Sequence, residues 1–268
     1  MTAAAPPALV HIGLVELDLL ATHAGVPVPF PLRVPSFGRI DGERAALLGV
    51  AGRTLRMREL ADEAGPLGMA DELVSALREH RGTVDLVLEG PDGADGIVAL
   101  VYRSWALLCR QRLTNEAAPV EIRRIPDTAL AGELLALVPD VAPARSMPIS
   151  LPARAVRLAA AAVHGIDDDH ERELRLRDLV RDHGGDPSAL DPLSGLVATV
   201  LGRGQLGATR RAGADTVRAG DELSWLDGPR GRVRISSAAG PWVSVNPLHR
   251  TTLRHTLDRL SLTAREQR

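Results

Sequence analysis

The residues with the clearest capacity for chemistry lie in His164-Gly-Ile-Asp-Asp-Asp-His170, where two histidines bracket three carboxylates. Imidazole and carboxylate ligands together suit Zn or Mn, and a metal held there would make the protein a metal-dependent hydrolase using the His164 to His170 cluster. Against this, the spacing fits no helical ligand pair, and the run falls between two predicted helices. In that setting His164 ends one helix, where its charge suits the dipole, and Asp167, Asp168 and Asp169 cap and charge the start of the next. Helix punctuation is the reading taken here, with the hydrolase as its alternative.

Gly202-Arg-Gly-Gln-Leu-Gly207 spells the G-x-G-x-x-G of a dinucleotide site. That fingerprint needs a strand before it and a helix after it, and here the order is reversed. The glycines read instead as a helix stop followed by a strand that another group approaches closely. The lone Cys109 sits in the apolar run Trp105 to Arg110, which excludes an intrachain disulfide and a thiolate cluster and makes it a small buried hydrophobe. All 32 basic residues are arginine. The chain therefore lacks a Walker-A lysine, a Schiff-base lysine and a kinase strand lysine, and it contains no G-x-S-x-G or H-E-x-x-H motif. No cofactor, metal or small-molecule substrate is expected, and the reading is that of a non-enzyme.

Composition points the same way. A net charge of -2 with 2% aromatic residues gives neither an electrostatic drive toward nucleic acid nor platforms for stacking bases. No apolar run is long enough for a membrane span, and Met1 to Pro7 has no basic n-region, so the expected location is cytoplasmic. The 268 residues, 45% of them apolar, suffice for one large core or two fused ones. The bias to arginine fits a GC-rich genome such as that of an actinobacterium.

These features must be positioned by the following elements. Leu9 to Leu20 begins as a strand and turns helical near Glu16, and the prolines at 27, 29, 31 and 35 then force an extended crossover. Helices are predicted over Glu43 to Leu60, with Asp41 as N-cap, and over Met69 to Arg81. Strands follow over Val84 to Glu89, Ile97 to Tyr102, Trp105 to Arg112 and Val120 to Ile125, with Gly90 to Gly96 as a hairpin loop and Asp127 capping a helix that bears Leu130, Leu134 and Leu137. Four prolines between 139 and 152 mark a linker. Further helices are expected at Pro152 to His164, Asp168 to His183 and Pro187 to Leu201. The Glu171 to Arg181 part of these mixes acids and bases as a solvated or partner-binding face. A second strand set covers Gly204 to Arg211, Asp221 to Leu226, Arg232 to Ser236 and Trp242 to Val245. Asn246 and Pro247 then open a last helix with Leu253, Leu257 and Leu260 on one face.

Thr83 to Val138 and Arg203 to Leu262 thus share one plan, four short strands and then a proline-introduced amphipathic helix. The expected organisation is an N-terminal half-unit 1–138, a Pro-rich linker 139–151 and a C-terminal half-unit 152–268 within a single globular unit. Short turns between successive strands imply antiparallel pairing and an α+β class.

Gly204-Gln-Leu-Gly207, the Asp227-Gly-Pro-Arg-Gly-Arg232 turn and Trp242-Val-Ser-Val-Asn-Pro247 resemble the C-terminal half of EspG-family proteins. In the N-terminal half Glu16-Leu-Asp-Leu-Leu20, the Pro27 to Pro35 segment, the Glu43-Arg44 helix start and Val84-Asp-Leu-Val-Leu88 fit the same family. The resemblance implies a central antiparallel sheet with quasi-two-fold symmetry and two flanking helical bundles. It further implies a cytosolic chaperone of type VII (ESX) secretion, which binds the helical tip of a PE/PPE heterodimer or a PPE-like substrate and keeps it soluble before export. Two regions would meet the client: the hairpin Gly90 to Gly96 with Pro91, Asp92 and Asp95, and the sheet and helical bundle of the C-terminal half, with Arg203, Gln205, Arg210, Trp225 and Trp242 on its strands and the helices from Asp168 to Leu201. Gln205 would donate to exposed carbonyls at the client tip or stabilise its own turn. The tryptophans would anchor those strands in the core, with polar neighbours making the contact.

Overall fold

The computed structural model describes residues 9–35, 37–38, 41–146, 148–197, 200–213, 215–236 and 240–266. In chain order the elements are β1 (Val10–Ile12), α1 (Leu14–Ala24), α2 (Asp41–Met57), α3 (Met69–Glu79), β2 (Gly82–Gly90), β3 (Gly93–Tyr102), β4 (Trp105–Arg112), β5 (Val120–Pro126) and α4 (Leu130–Leu137). They continue with β6 (Ile149–Pro152), α5 (Ala153–Ala162), α6 (Asp169–Asp182), α7 (Leu190–Val197), β7 (Gly202–Ala212), β8 (Asp215–Arg218), β9 (Leu223–Gly228), β10 (Gly231–Ser236), β11 (Trp242–Pro247) and α8 (Arg250–Arg265). The chain divides into two compact units. Unit 1 is Met1–Val138, Leu206–Glu222 and Arg254–Arg268, and unit 2 is Pro139–Gln205 and Leu223–Leu253.

Unit 1 orders its strands β1-β5-β4-β3-β2-β7, with β8 folded back on β7. The β2–β3, β3–β4, β4–β5, β1–β5 and β7–β8 pairs are all antiparallel. Because side chains alternate, the apolar run of β3 supplies two cores at once. Val98, Leu100, Leu107, Cys109 and Ile122 pack with Leu17 and Leu20 of α1 and Leu73, Val74 and Leu77 of α3. On the opposite face Val84, Ile97, Ala99, Leu206 and Ala208 are buried, as are Leu130 and Leu134 of α4 and Leu257 and Leu260 of α8. Each such leucine contributes about 1.5–3 kcal/mol. The proline segment has no ladder of its own, so the buried Gln111 serves it instead. Its amide accepts from Arg33 N at 2.7 Å and donates to Arg33 O at 2.8 Å. Both backbone groups are thereby satisfied without secondary structure.

Unit 2 orders its strands β9-β10-β11-β6, again antiparallel. Val233, Val245, Ile149 and Leu151 face Ala155 of α5 and Val180 of α6, with Leu190 and Leu193 of α7 packed alongside. One face of this sheet is therefore lined by helices.

Several local expectations change. Asn246 and Pro247 end β11 rather than open a helix, because they stay in register with Arg234 and Val233, and α8 starts at Arg250. Asp127 opens a 3-10 turn, Asp127–Ala129, and its carboxylate is engaged by Arg81 at 3.9 Å and Arg265 at 3.6 Å rather than by a helix N-terminus. The β2–β3 ladder zips to Gly90 opposite Gly93, which shrinks the expected seven-residue loop to Pro91 and Asp92. Ile149–Pro152, inside the proline-rich stretch, is a strand, and the same stretch is tied down earlier. Arg232 N donates to Ala142 O at 2.8 Å, and Ala144 N to Arg232 O at 3.0 Å. β8 was not expected at all. The Met1 to Pro7 segment and the last two residues of the Pro187 to Leu201 helix before Val200 lie outside the described residues.

Candidate functional site

In unit 2, alternation along β11 sends Val243 and Val245 to the helix-lined core and Trp242, Ser244 and Asn246 to the other face. Register places Ser244 opposite Ser150 and Ser236, Asn246 opposite Arg234, and Trp242 opposite Pro152. Directly opposed residues share a face, so these form one largely polar surface beside an indole. Trp242 is 45% exposed. An exposed tryptophan flanked by hydroxyls and an amide resembles the centre of an interface more than a core remnant, since the ring offers a large apolar contact that water solvates poorly.

Further along this face the sheet is held rigid. Trp225 is 1% exposed and lies over Gly204, where a Cβ would overlap the indole ring. Arg232, itself buried, stands 5.3 Å from the same ring and grips Asp227 with two bonds, Nε to Oδ1 at 2.6 Å and Nη2 to Oδ2 at 2.8 Å. Its Nη2 also donates to Pro139 O at 3.1 Å. The bidentate geometry and the extra acceptor compensate for two desolvated charges.

The expected site residues distribute as follows. Pro91 and Asp92 form the exposed β2–β3 turn, and Asp92 O accepts from Arg112 at 3.3 Å. Asp95 belongs to β3 rather than to a loop, where Arg110 at 2.7 Å and Arg112 at 3.2 Å bind it. Arg203, Gln205 and Arg210 all lie in β7, but alternation puts Arg203 and Gln205 on one face and Arg210 on the other. Of the two tryptophans only Trp225 anchors the core, and Trp242 departs from that expectation. Ser150, Ser244, Asn246 and Arg234 were not anticipated. Their signal was the alternation of Trp242-Val-Ser-Val-Asn246, masked by reading Asn246 as a helix cap.

Elsewhere the reactive residue types are employed structurally. Asp168 Oδ1 caps α6 by accepting from Glu171 N at 2.7 Å, and Arg172 binds Asp169 at 2.6 Å and Ile166 O at 2.9 Å. Among the described residues no group of three or more His, Cys, Asp and Glu is placed to hold a metal. Burial pushes the Cys109 thiol up to about 12, which suppresses the thiolate. The G-x-G-x-x-G run is the start of β7, and the next described element is the strand β8.

The profile of the EspG family matches residues 14–259, nearly the full length. The chain belongs to the EspG family. The solved structure of the Mycobacterium tuberculosis type VII secretion system chaperone EspG5, determined in complex with the PE25–PPE41 dimer, superposes with a TM-score of 0.67 at 11% identity, covering 94% of this chain and 95% of that one. At that identity the likeness shows a common fold. A second solved structure, HtdX from the same organism, aligns at a TM-score of only 0.15 with 14% identity, covering 90% of this chain and 99% of that one, and carries no argument. Comparison with curated proteins gives no match. In this EspG-family chain the surface around Trp242 is the feature to explain. Among the described residues no helix is long and apolar enough to cross a membrane.

Proposed function

We propose that this EspG-family protein is a cytosolic, non-enzymatic chaperone of type VII (ESX) secretion that binds the helical tip of a PE/PPE heterodimer or PPE-like substrate and keeps it soluble before export. The family match over residues 14–259 carries this reading. The physical work is to cover an apolar helix end that would otherwise aggregate, and stoichiometric binding is enough for that.

Two finer readings belong with it. In each unit a strand from earlier in the chain, β1 or β6, pairs with the last strand of the run and leads directly into a helix, α1 or α5. Together with α4 after β5 and α8 after β11, this supports a quasi-two-fold plan of two half-units, 1–138 and 152–268 around a 139–151 connection, each with a helical bundle. The client surface is then the C-terminal half, with Trp242, Ser150, Ser244 and Asn246 on one face of its sheet and Arg203 and Gln205 of β7, which flank Gly204 beneath Trp225, on the other. Pro91, Asp92 and Trp225 remain candidates of lower rank because of their turn or core positions, and Arg210 because it belongs to unit 1.

The test is co-expression with a PE/PPE heterodimer followed by co-purification. Charge reversal at Arg203 and Arg210 should reduce client recovery more than reversal at Arg53 and Arg56 of α2, with circular dichroism unchanged. Failure of the native protein to retain any such heterodimer would refute the reading.

A further inference from the structure

Unit 1 contains a cavity of about 670 Å³ that the client reading does not use. One wall is Val26, Pro27, Val28, Pro29 and Phe30, with Leu77 beside them, and Phe30 is 56% exposed at the mouth. The base is Thr83 and Asp85 of β2 and Thr209 of β7, and the far rim is Arg211, Thr216 and Arg218 of the β7–β8 hairpin. A volume of this order, mainly apolar with a few convergent polar groups, is typical of ligand sites.

The polar groups at the base leave two hydrogen-bonding positions open. Asp85 has a side chain only 2% exposed, and one carboxylate oxygen receives the Arg218 guanidinium while Oδ2 has no partner. A buried orphan acceptor is costly unless something fills it. The hydroxyls of Thr83 and Thr209 stand 2.7 Å apart, and Thr83 N donates to Thr209 Oγ1 at 3.3 Å. Only one hydroxyl proton is consumed between the two, so the other remains available as a donor. The cavity base thus presents one acceptor and one donor.

The guanidinium groups around the base are held by protein oxygens, with Asp215 also on the rim. Arg218 also binds Glu222, Arg78 donates to His23 O and Ala24 O, and Arg211 donates to Arg78 O and Gly213 O. Burial lowers the His80 pKa and keeps its imidazole neutral, with Nδ1 against Ala76 O at 2.9 Å. A neutral amide supplies one N–H and one C=O, the complement of what the base offers. We propose that this cavity is a binding site for an apolar peptide segment, whose amide N–H is taken by Asp85 Oδ2 and whose carbonyl is taken by the free threonine hydroxyl, with the flanking aliphatic side chains against Val26–Phe30 and Leu77. Gly207 belongs to the same device, because a side chain there would collide with the Arg218 guanidinium as it crosses β7 to reach Asp85.

The test uses the intact chain and two probes, acetyl-Leu-Leu-methylamide and the ester analogue in which the amide N–H between the two residues is replaced by oxygen. Binding is followed by NMR shifts of Val28, Thr83, Asp85, Thr209 and Arg218. The amide should perturb this group and bind roughly fivefold or more tightly than the ester, the worth of one net hydrogen bond. Asp85→Asn should erase that preference. Should Asp85→Asn fold poorly, Phe30→Ala on the exposed wall should weaken both probes alike. Equal affinity of amide and ester for the native protein, or shifts confined to residues outside the cavity, would overturn the proposal. Client retention depends on the unit 2 surface, so either result leaves the chaperone reading to its own test.

Discussion

Each unit crosses a long side chain over a glycine of Gly202-Arg-Gly-Gln-Leu-Gly207 and secures an aspartate with an arginine, yet the two constructions differ in stiffness. In unit 2, Trp225 over Gly204 and Arg232 on Asp227 are both buried, the arginine side chain only 2% exposed. In unit 1, Arg218 over Gly207 reaches the buried Asp85 from a position 42% exposed, beside an open cavity. The same short motif therefore supports a fixed platform under the Trp242 surface and an adjustable rim around the unit 1 cavity. Preorganised platforms lower the ordering cost of binding, whereas adjustable rims admit ligands.

The largest expected effect is Arg232→Ala. It removes a buried guanidinium, strands the Asp227 carboxylate, frees Pro139 O and opens space against Trp225, which should cost about 3–5 kcal/mol in urea denaturation. Arg218→Ala should cost less, because burial raises the Asp85 pKa above its ordinary 3.8 and the orphaned carboxyl can hold a proton. The sign follows from linkage. A raised folded-state pKa means that the folded protein binds more protons than the unfolded chain, so the contribution of Asp85 to stability falls as pH rises from about 3.8 through the folded value. Losing Arg218 raises that pKa further and should widen the deficit at neutral pH relative to acid. An equal deficit at both pH values would break the distinction between the units.

The glycines give an intermediate effect. Gly204→Ala drives a methyl into the Trp225 ring and should cost about 1–3 kcal/mol, while Gly207→Ala meets only the flexible end of Arg218 and should cost less than about 1 kcal/mol. Matching losses in thermal denaturation would show that the two crossings are equally rigid. At the small end, His164→Ala with His170→Ala should leave stability within about 0.5 kcal/mol and bound metal unchanged, because Asp168, not either histidine, makes the α6 cap. Loss of stoichiometric metal would revive the hydrolase alternative.

Much of the fold was legible because periodicity carries it. The apolar run Ile97 to Tyr102 announced a strand, and Asp168 announced a helix start. What escaped depended on distant partners. Nothing local in Asp85 or Arg218 reveals that they meet across 133 positions. Asn246-Pro247 has the form of a helix start, but pairing with Arg234 and Val233 overrides it. Ile149–Pro152 hid among prolines because an edge strand tolerates them. Trp225 and Trp242 look alike in sequence and share a face of the sheet, and only the close approach of Gly204 and Arg232 separates the buried ring from the exposed one.

The central claim is that a PE/PPE-type client docks on the exposed sheet face of unit 2. The most direct measurement is the yield of a co-expressed PE/PPE heterodimer retained by the native protein, by Trp242→Glu and by the Arg53→Glu, Arg56→Glu double variant, each verified as folded. Retention lost with Trp242→Glu and kept with the α2 variant is the predicted result. Undiminished retention by Trp242→Glu would contradict it.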